Sequence, residues 1–176
     1  MRLLTSRDIE NLTASGDIHI DGPEGGYTFL DDFRIGLSLR DQFDTPNPTP
    51  DIRDTPSLNT ERLTDKVRKK GDWGLCYSNE RIGLGARFLG LLQTRSKYAR
   101  KGLELMGSSW IVAPGFGQSE PSSIVFEVSF NADVKFNSCR EHYGYMALFD
   151  VGTETMISSD DYARRFPFFL HHGVSE

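Results

Sequence analysis

The segment RSKYARKGLELMGSSWIVAPGFGQSEPSSIVFE, from Arg95 to Glu127, organises the rest of this chain. It begins with cations and small hydroxyls, turns through Gly107 and a Pro114-Gly115 corner, and ends in an apolar strand that carries one carboxylate. Cations can bind phosphate, and a carboxylate among apolar neighbours can exchange protons with water. An enzyme that acts on a nucleotide needs both groups.

Glu127 lies on the polar face of its predicted strand. The even-numbered residues from Ile124 to Phe130 are apolar and share one face, so Glu127 lies on the other face, between Val125 and Ser129. Two interpretations stay open. On an exposed face Glu127 is a surface carboxylate, whereas in a partly dry pocket its pKa rises and it can take a proton from water and return it.

Cations and one small hydroxyl cluster at the start of the segment, where Arg95, Ser96, Lys97, Arg100 and Lys101 fall within seven residues. Arginine offers forked donors to phosphate oxygens, and a serine hydroxyl can bond a phosphate or a water. The alternative is a solvated polar turn after the preceding strand. The composition of the cluster leaves both interpretations open.

Short apolar segments recur along the chain and predict an all-β fold. Their spacing is close to the roughly 8 to 12 residues that are typical of a β-sandwich or barrel. The predicted strands are Asp17–Ile20, Phe33–Leu39, Gly74–Ser78, Arg81–Leu84, Phe88–Thr94, Ile124–Phe130, Val134–Asn137 and Tyr143–Val151.

Short helices are predicted beside these strands. The first begins at a cap on Thr5 or Ser6, has Asp8 in its first turn and ends at Gly16. A second is predicted from Thr60 to Lys70, and the cations from Lys66 to Lys70 are assigned to its solvated side.

Two segments are predicted to be irregular. Asp41 to Asn59 contains four prolines, so a long excursion is expected there. The chain from Gly152 to Glu176 is a tail or lid, with a short helix from Asp160 to Arg165.

Length and composition limit the classes of protein that fit. A chain of 176 residues with 38% apolar residues is predicted to form one domain, 1–176. A net charge of −5 argues against binding a nucleic acid polymer. No apolar run indicates a leader or a membrane span, so a cytoplasmic location is predicted, with Cys76 and Cys139 reduced.

Familiar motifs for metal and phosphate binding are absent from the sequence. A zinc deaminase needs His-x-Glu and Pro-Cys-x-x-Cys, and neither pattern occurs. A Walker phosphate loop, a Rossmann glycine fingerprint and a Gly-x-Ser-x-Gly elbow are also missing. Zinc chemistry and these nucleotide-binding classes are therefore set aside.

The same central segment carries a resemblance to a known family. Arg95-Ser96-x-x-Ala99-Arg100-x-Gly102 resembles the Arg-Ser-Ser-x-Ala-Arg-x-Gly signature of the dCTP deaminases, in the dUTPase superfamily. Further matches fall in the same order over most of positions 1 to 151: Met1-Arg2-Leu3, Arg7-Asp8-Ile9, Gly16-x-Ile18-x-Ile20, Asp32-x-Arg34-Ile35-Gly36, Pro114-Gly115-Phe116, Val125-Phe126-Glu127 and Gly144-Tyr145-Met146-x-x-Phe149.

The resemblance implies a distorted β-jelly-roll that assembles as a homotrimer, with sites built between subunits. It also implies deamination without zinc. Glu127 would act as general base and acid on the water that attacks C4 of cytosine. Ser96 and Arg100 would help to hold that water and the base.

The remaining roles in the implied site concern the substrate. The backbone carbonyls of Gly107 and Ser109 would contact the water and the amino group. Arg95 and Ser96 would contact the phosphates, with Lys97 adding a cation. Mg²⁺ would be carried on the triphosphate.

Several positions depart from the family pattern. Ala113 replaces an aspartate that contacts the sugar and that positions the attacking water in dUTPases. Gly85 replaces a proline, and extra residues lengthen the loop at 117–121. The tail lacks the usual lid residues, for which Tyr162 and Arg164, with the neighbouring Arg165, would substitute.

The sequence therefore predicts a zinc-independent hydrolytic deaminase that converts a cytosine nucleotide such as dCTP to dUTP and ammonia. A nucleotide-binding regulatory protein on the same scaffold is the second interpretation, because Ala113 and the divergent tail suggest altered catalysis. A dUTPase-like pyrophosphatase is the third. Ala113 makes it the weakest, because the carboxylate that positions water is missing.

Overall fold

A computed structural model describes residues 1–47, 56–105 and 110–152, which form two antiparallel β-sheets around one buried core. Sheet A has five strands in a row, and a sixth, β1, also pairs with β12. In spatial order the row is β10 (Ile111–Val112), β8 (Phe88–Thr94), β12 (His142–Asp150), β4 (Arg34–Ser38) and β3 (Phe29–Asp31), and β1 is Arg2–Leu3.

Sheet B is built in the same way around its longest strand, β7, with which β2 also pairs. In spatial order its row is β6 (Leu58–Glu61), β5 (Phe43–Pro46), β7 (Trp73–Leu84), β11 (Ser122–Phe130) and β9 (Leu103–Leu105), and β2 is Ile18–Asp21.

Two short α-helices, α1 (Ser6–Ser15) and α2 (Ser96–Ala99), and a 3₁₀ turn at Pro23–Gly25 lie outside the sheets. The all-β fold with short peripheral helices is therefore confirmed.

The core lies between the sheets and follows the alternation of the strands. On β11 the even-numbered residues from Ile124 to Phe130 are all buried, as the period-2 pattern predicts. Ile35 and Leu37 of β4 contribute from the other sheet. Burial of each such side chain stabilises the fold by about 1.5–3 kcal/mol.

The first helix forms where the sequence predicts it. Thr5 accepts a hydrogen bond from the backbone N–H of Asp8 at 3.2 Å, and the Asp8 carboxylate accepts one from the backbone N–H of Thr5 at 2.9 Å. This reciprocal pair is a capping box. The helix ends at Gly16, whose φ of 81° is left-handed.

The predicted helix from Thr60 to Lys70 is wrong. The chain continues as β6 to Glu61 and then turns, and Arg68 is 1% exposed rather than solvated. Its guanidinium lies 4.2 Å over the ring of Phe43 and pairs with Glu61. The cation is retained inside the fold because an aromatic face and a carboxylate both stabilise it.

Other expectations about the strands need smaller corrections. The excursion from Asp41 to Asn59 contains β5 and β6, which pair with each other, although 48–55 lie outside the described residues. Gly74–Ser78 and Arg81–Leu84 belong to one continuous strand, β7. Val134–Asn137 forms only a single bridge, from Val134 to Arg68.

Some expectations are not tested. The tail helix from Asp160 to Arg165 lies outside the described residues, and the single domain and the cytoplasmic location stay predictions. Cys76 and Cys139 are free thiols. Among the described residues, no helix has the length and apolar character needed to cross a bilayer.

Candidate functional site

Tyr98 fixes the short helix that carries the cationic cluster. Its side chain is buried against Tyr143, with ring centroids 4.6 Å apart, and its hydroxyl donates a hydrogen bond to Glu141. Burial, together with this hydrogen bond, raises the pKa of Tyr98 to about 12. The phenol therefore stays neutral and holds α2 against the first residues of β12.

Ser96 and Arg100 share one face of this helix. They are separated by four residues, and the backbone N–H of Arg100 donates to the carbonyl of Ser96 at 3.0 Å. Residues so spaced have Cβ atoms roughly 5–6 Å apart. Both side chains are exposed, and no carboxylate in the described parts of the chain pairs with Arg100.

The neighbouring cations already have partners. The guanidinium of Arg95 donates to the carbonyl of His142 at 3.1 Å. The Nζ atom of Lys97 lies 3.6 Å from Glu141, although this pair is about half exposed and therefore weak. Of the expected phosphate contacts, Ser96 keeps an exposed side chain, and Arg95 uses one of the five N–H donors of its guanidinium for the bond to His142.

Glu127 lies on the outward face of sheet B, near the centre of the longest strand pair. It is directly opposite Leu75 of β7 in the register. On its other side Val128 pairs with Leu105, the last residue of β9. Glu127 is exposed, in agreement with the predicted face. Gly107 and Ser109, which would supply carbonyls beside it, lie outside the described residues.

Within one chain the cationic helix is displaced from Glu127. The turn after α2 is fixed to the end of β11, where the backbone N–H of Asn131 donates to the carbonyl of Gly102 at 2.7 Å. Asn131 is four residues from Glu127, which corresponds to about 14 Å along a strand. The structure brings Ser96 and Arg100 together and leaves Glu127 apart from them.

The remaining predicted site positions are Ala113 and two residues of the tail. Ala113 follows β10 and is half-buried, and its carbonyl accepts a hydrogen bond from the N–H of Phe116 at 3.1 Å. A methyl group at this position cannot bond a sugar hydroxyl or a water. Tyr162 and Arg164, the proposed lid residues, lie outside the described residues.

Sequence reasoning missed the side chains that surround Glu127. The odd-numbered residues at the start of β7 face outward with it, because directly paired residues of an antiparallel sheet project to the same side. Trp73 pairs with Ser129, and Tyr77 pairs with Val125, so both lie diagonally beside Glu127. The alternation of Trp73, Leu75 and Tyr77 with smaller residues was a signal available in the sequence.

Tyr77 also connects this face to a buried carboxylate. Its hydroxyl donates to the Oδ2 atom of Asp44 on β5 at 2.5 Å, and the side chain of Gln42 donates to the same atom at 2.9 Å. Burial, with the hydrogen bond to Asp44, raises the pKa of Tyr77 well above its ordinary value. Tyr77 is therefore a neutral donor at every physiological pH.

An open groove of about 490 Å³ lies elsewhere, on sheet A. None of the predicted site residues in the described parts of the chain lines it. Its lining is mainly apolar and consists of Leu3, Phe33, Arg34, Leu91, Leu92, Gln93, Trp110, Tyr145, Ala147 and Phe149.

Within 1–47, 56–105 and 110–152, no group of three or more His, Cys, Asp or Glu side chains is arranged to hold a metal ion.

Comparison with solved structures identifies the fold. The chain superposes on 2′-deoxycytidine 5′-triphosphate deaminase from Agrobacterium tumefaciens with a TM-score of 0.59 and 12% identity, over 84% of this chain and 48% of that chain. The chain has a dUTPase-like fold. It also superposes on a mutant dUTPase of Staphylococcus bacteriophage 80alpha with dUpNHpp, with a TM-score of 0.50 and 7% identity, over 80% of this chain and 94% of that chain.

These likenesses concern the fold alone, because the identities are low. The chain spans about half the length of the deaminase that it matches. No protein-family model matches the sequence, and no curated protein sequence does. The distorted jelly-roll implied by the central segment is nevertheless confirmed as the architecture.

Proposed function

We propose that this chain is a zinc-independent hydrolytic deaminase of a cytosine nucleotide, with dCTP as the expected substrate and dUTP and ammonia as products. The observation that carries the proposal is the position of Glu127 at the centre of the outward face of sheet B on a dUTPase-like fold. The side chain is exposed in one chain, so the proposal requires a neighbouring copy to cover this face and enclose the carboxylate. The position of Ser96 and Arg100 on one face of α2 supports the proposal.

The chemistry assigned to Glu127 is a proton transfer in two directions. Its carboxylate takes a proton from water as the hydroxide oxygen bonds to C4 of cytosine, and it passes that proton to the ring nitrogen N3. The carboxylate then takes the proton of the new C4 hydroxyl and gives it to the C4 amino nitrogen, the C4–N bond breaks, and ammonia leaves while the oxygen stays on C4 as the carbonyl of uracil. A positioned general base of this kind contributes about 10²- to 10⁴-fold to the rate.

The proposed site needs more than one copy of the chain. The turn that follows Ser96 and Arg100 is bonded through Gly102 to Asn131, which is about 14 Å along the strand direction from Glu127. A neighbouring copy in a homotrimer would supply its own α2 to this Glu127. Mg²⁺ would enter with the substrate, where it would balance the charge of the triphosphate.

A specific observation favours the second candidate, a nucleotide-binding regulatory protein. The methyl side chain of Ala113 stands where the family pattern has a carboxylate that contacts the sugar, so catalysis can be altered while nucleotide binding is kept. A pyrophosphatase is the weakest candidate for the same reason.

The test is a product assay with a matched pair of variants. Wild-type protein is incubated with Mg²⁺ and dCTP, CTP, dCMP or dUTP, and ammonia and pyrophosphate are measured separately. Glu127→Gln should abolish ammonia release and keep nucleotide binding. Glu104→Gln is the control, because Glu104 is an exposed carboxylate on the same sheet face, opposite Ser129.

Each outcome selects one function. Ammonia that depends on Glu127 and not on Glu104 supports the deaminase. Pyrophosphate alone would move the assignment to the pyrophosphatase. Nucleotide binding without either product would favour the regulatory protein, and full activity of Glu127→Gln would refute the role of Glu127.

A further inference from the structure

Asp44, Leu75 and Glu127 stand side by side on three neighbouring strands, and we call these three residues the cross-strand row. The register pairs Asp44 of β5 with Leu75 of β7, and Leu75 with Glu127 of β11. Paired residues project to the same side of an antiparallel sheet, so all three side chains face outward. Neighbouring strands are about 4.8 Å apart, which places the outer two backbone positions on the order of 10 Å apart.

The carboxylate of Asp44 is half satisfied. The residue is 2% exposed, and its Oδ2 atom accepts hydrogen bonds from Tyr77 and Gln42. Its Oδ1 atom is buried and has no hydrogen-bond partner among the described residues. A buried acceptor without a donor is costly, and a donor on a bound ligand would remove that cost.

The surroundings of this row suit a flat heteroaromatic ring. Leu75 is half-buried between the two carboxylates and offers an apolar floor. Trp73 is 54% exposed, and its diagonal position puts its ring within reach of Glu127. Aromatic side chains exposed in this way stack on nucleobases.

The dimensions agree with the proposed reaction. Water attacks C4 from above the ring plane, whereas the C4 amino group lies in that plane, so carboxylates that hold the water and the amino group would be roughly 7 Å apart. Side chains that lean toward each other from backbone positions on the order of 10 Å apart can reach this separation. Because Asp44 is 2% exposed, a ligand reaches its Oδ1 atom only when the side chains that cover this atom move aside.

We propose that Asp44 determines base specificity: its Oδ1 atom accepts a hydrogen bond from the exocyclic amino group of cytosine. The inference rests on the proposed function and extends it. Uracil carries a carbonyl oxygen in place of that amino group, and two acceptors facing each other repel. A site that hydrogen-bonds one group strongly rejects an analogue that cannot make the bond.

Asp44→Asn is a sharp test, because the fixed donors orient the new amide. Tyr77 and Gln42 both donate to the Oδ2 position, so the amide oxygen of asparagine must occupy it. The amide NH₂ group then occupies the Oδ1 position and becomes a donor. The preferred base should shift from the amino-bearing ring to the carbonyl-bearing ring.

Binding is measured by calorimetry with dCTP and dUTP in the presence of Mg²⁺. The full chain carries Glu127→Gln in every sample, so that the substrate is not consumed. Asp44→Asn should lower the affinity for dCTP relative to dUTP by about 10- to 100-fold, the size expected for a hydrogen bond to a charged group. Asp65→Asn, an exposed carboxylate outside the row, should leave the ratio unchanged.

The outcomes separate this inference from the proposed function. An unchanged ratio in folded Asp44→Asn, with dCTP still bound, would overturn the role of Asp44 and leave the deaminase proposal standing. Failure of the Asp44-containing protein to bind either nucleotide would overturn both. If Asp44→Asn does not fold, Asp44→Ser should bind the two nucleotides about equally, and retention of the dCTP preference would refute the inference.

Discussion

Gly102 connects the cationic helix to the strand that carries Glu127, and its replacement by alanine is expected to be costly. Its φ is 89°, a left-handed value that alanine adopts only with strain. A Cβ atom built on it would lie 2.6 Å from the backbone nitrogen and 2.7 Å from the Cβ atom of Ala132. The backbone contact cannot be relieved by rotating a side chain.

The magnitude follows from three contributions. The left-handed conformation costs alanine about 1–2 kcal/mol. The smaller freedom of alanine in the unfolded chain returns about 0.4–1 kcal/mol. The overlap with Ala132 adds about 1–3 kcal/mol, as overpacking does in other cores. We therefore expect Gly102→Ala to lower the free energy of unfolding by about 1–4.5 kcal/mol.

Gly16→Ala is the matched control. Gly16 has a φ of 81°, but nothing lies within 4 Å of the added Cβ atom, so only the conformational cost applies. The measurement is urea unfolding followed by circular dichroism at one protein concentration, because self-association would make the midpoint depend on concentration. Equal destabilisation by the two substitutions would refute the reasoning, since the contact with Ala132 would then carry no cost.

Two further predictions concern buried charges. Burial raises the pKa of Glu80 above its ordinary value of 4.5, although hydrogen bonds from Ser38 oppose this, so the native state binds the proton more tightly than the unfolded chain. The free energy of unfolding of wild type, relative to that of Glu80→Gln, should therefore fall as pH rises from 4.5 through the native pKa. Urea unfolding at several pH values measures both proteins, and a difference between them that does not change with pH would contradict this. Arg68→Met should lower the free energy of unfolding by less than about 2 kcal/mol, because Glu61 is one-third exposed and keeps Lys66 at 2.8 Å. Glu61→Leu should lower it by about 3–5 kcal/mol, because Arg68 then stays buried without its partner carboxylate. Urea unfolding of both variants measures the difference, and equal costs would show that the asymmetry is wrong.

The sequence predicted the features that depend on neighbouring residues. The first helix follows from a cap at Thr5, a carboxylate at Asp8 and a stop at Gly16, all within one short segment. The face of Glu127 follows from the alternation of its own strand. Such signals need no knowledge of the rest of the chain.

The features that depend on distant partners were not predicted. Arg68 reads as a solvated helical cation until Phe43 and Glu61 are placed around it. Asp44 lies in a proline-rich stretch that reads as irregular, and only the register with β7 places it in the row of Glu127. The carboxylate that we propose as the second of the site therefore could not be predicted from the sequence pattern.

The described strands at the two edges of each sheet are short, which limits how copies of this chain can pair. In sheet A these are β10 with two residues and β3 with three, and in sheet B they are β6 with four and β9 with three. Edges this short give an incoming strand little backbone to pair with, and they protect a sheet from templated growth. The contacts between copies that the proposed function requires would therefore fall on sheet faces and loops, where side chains select the partner.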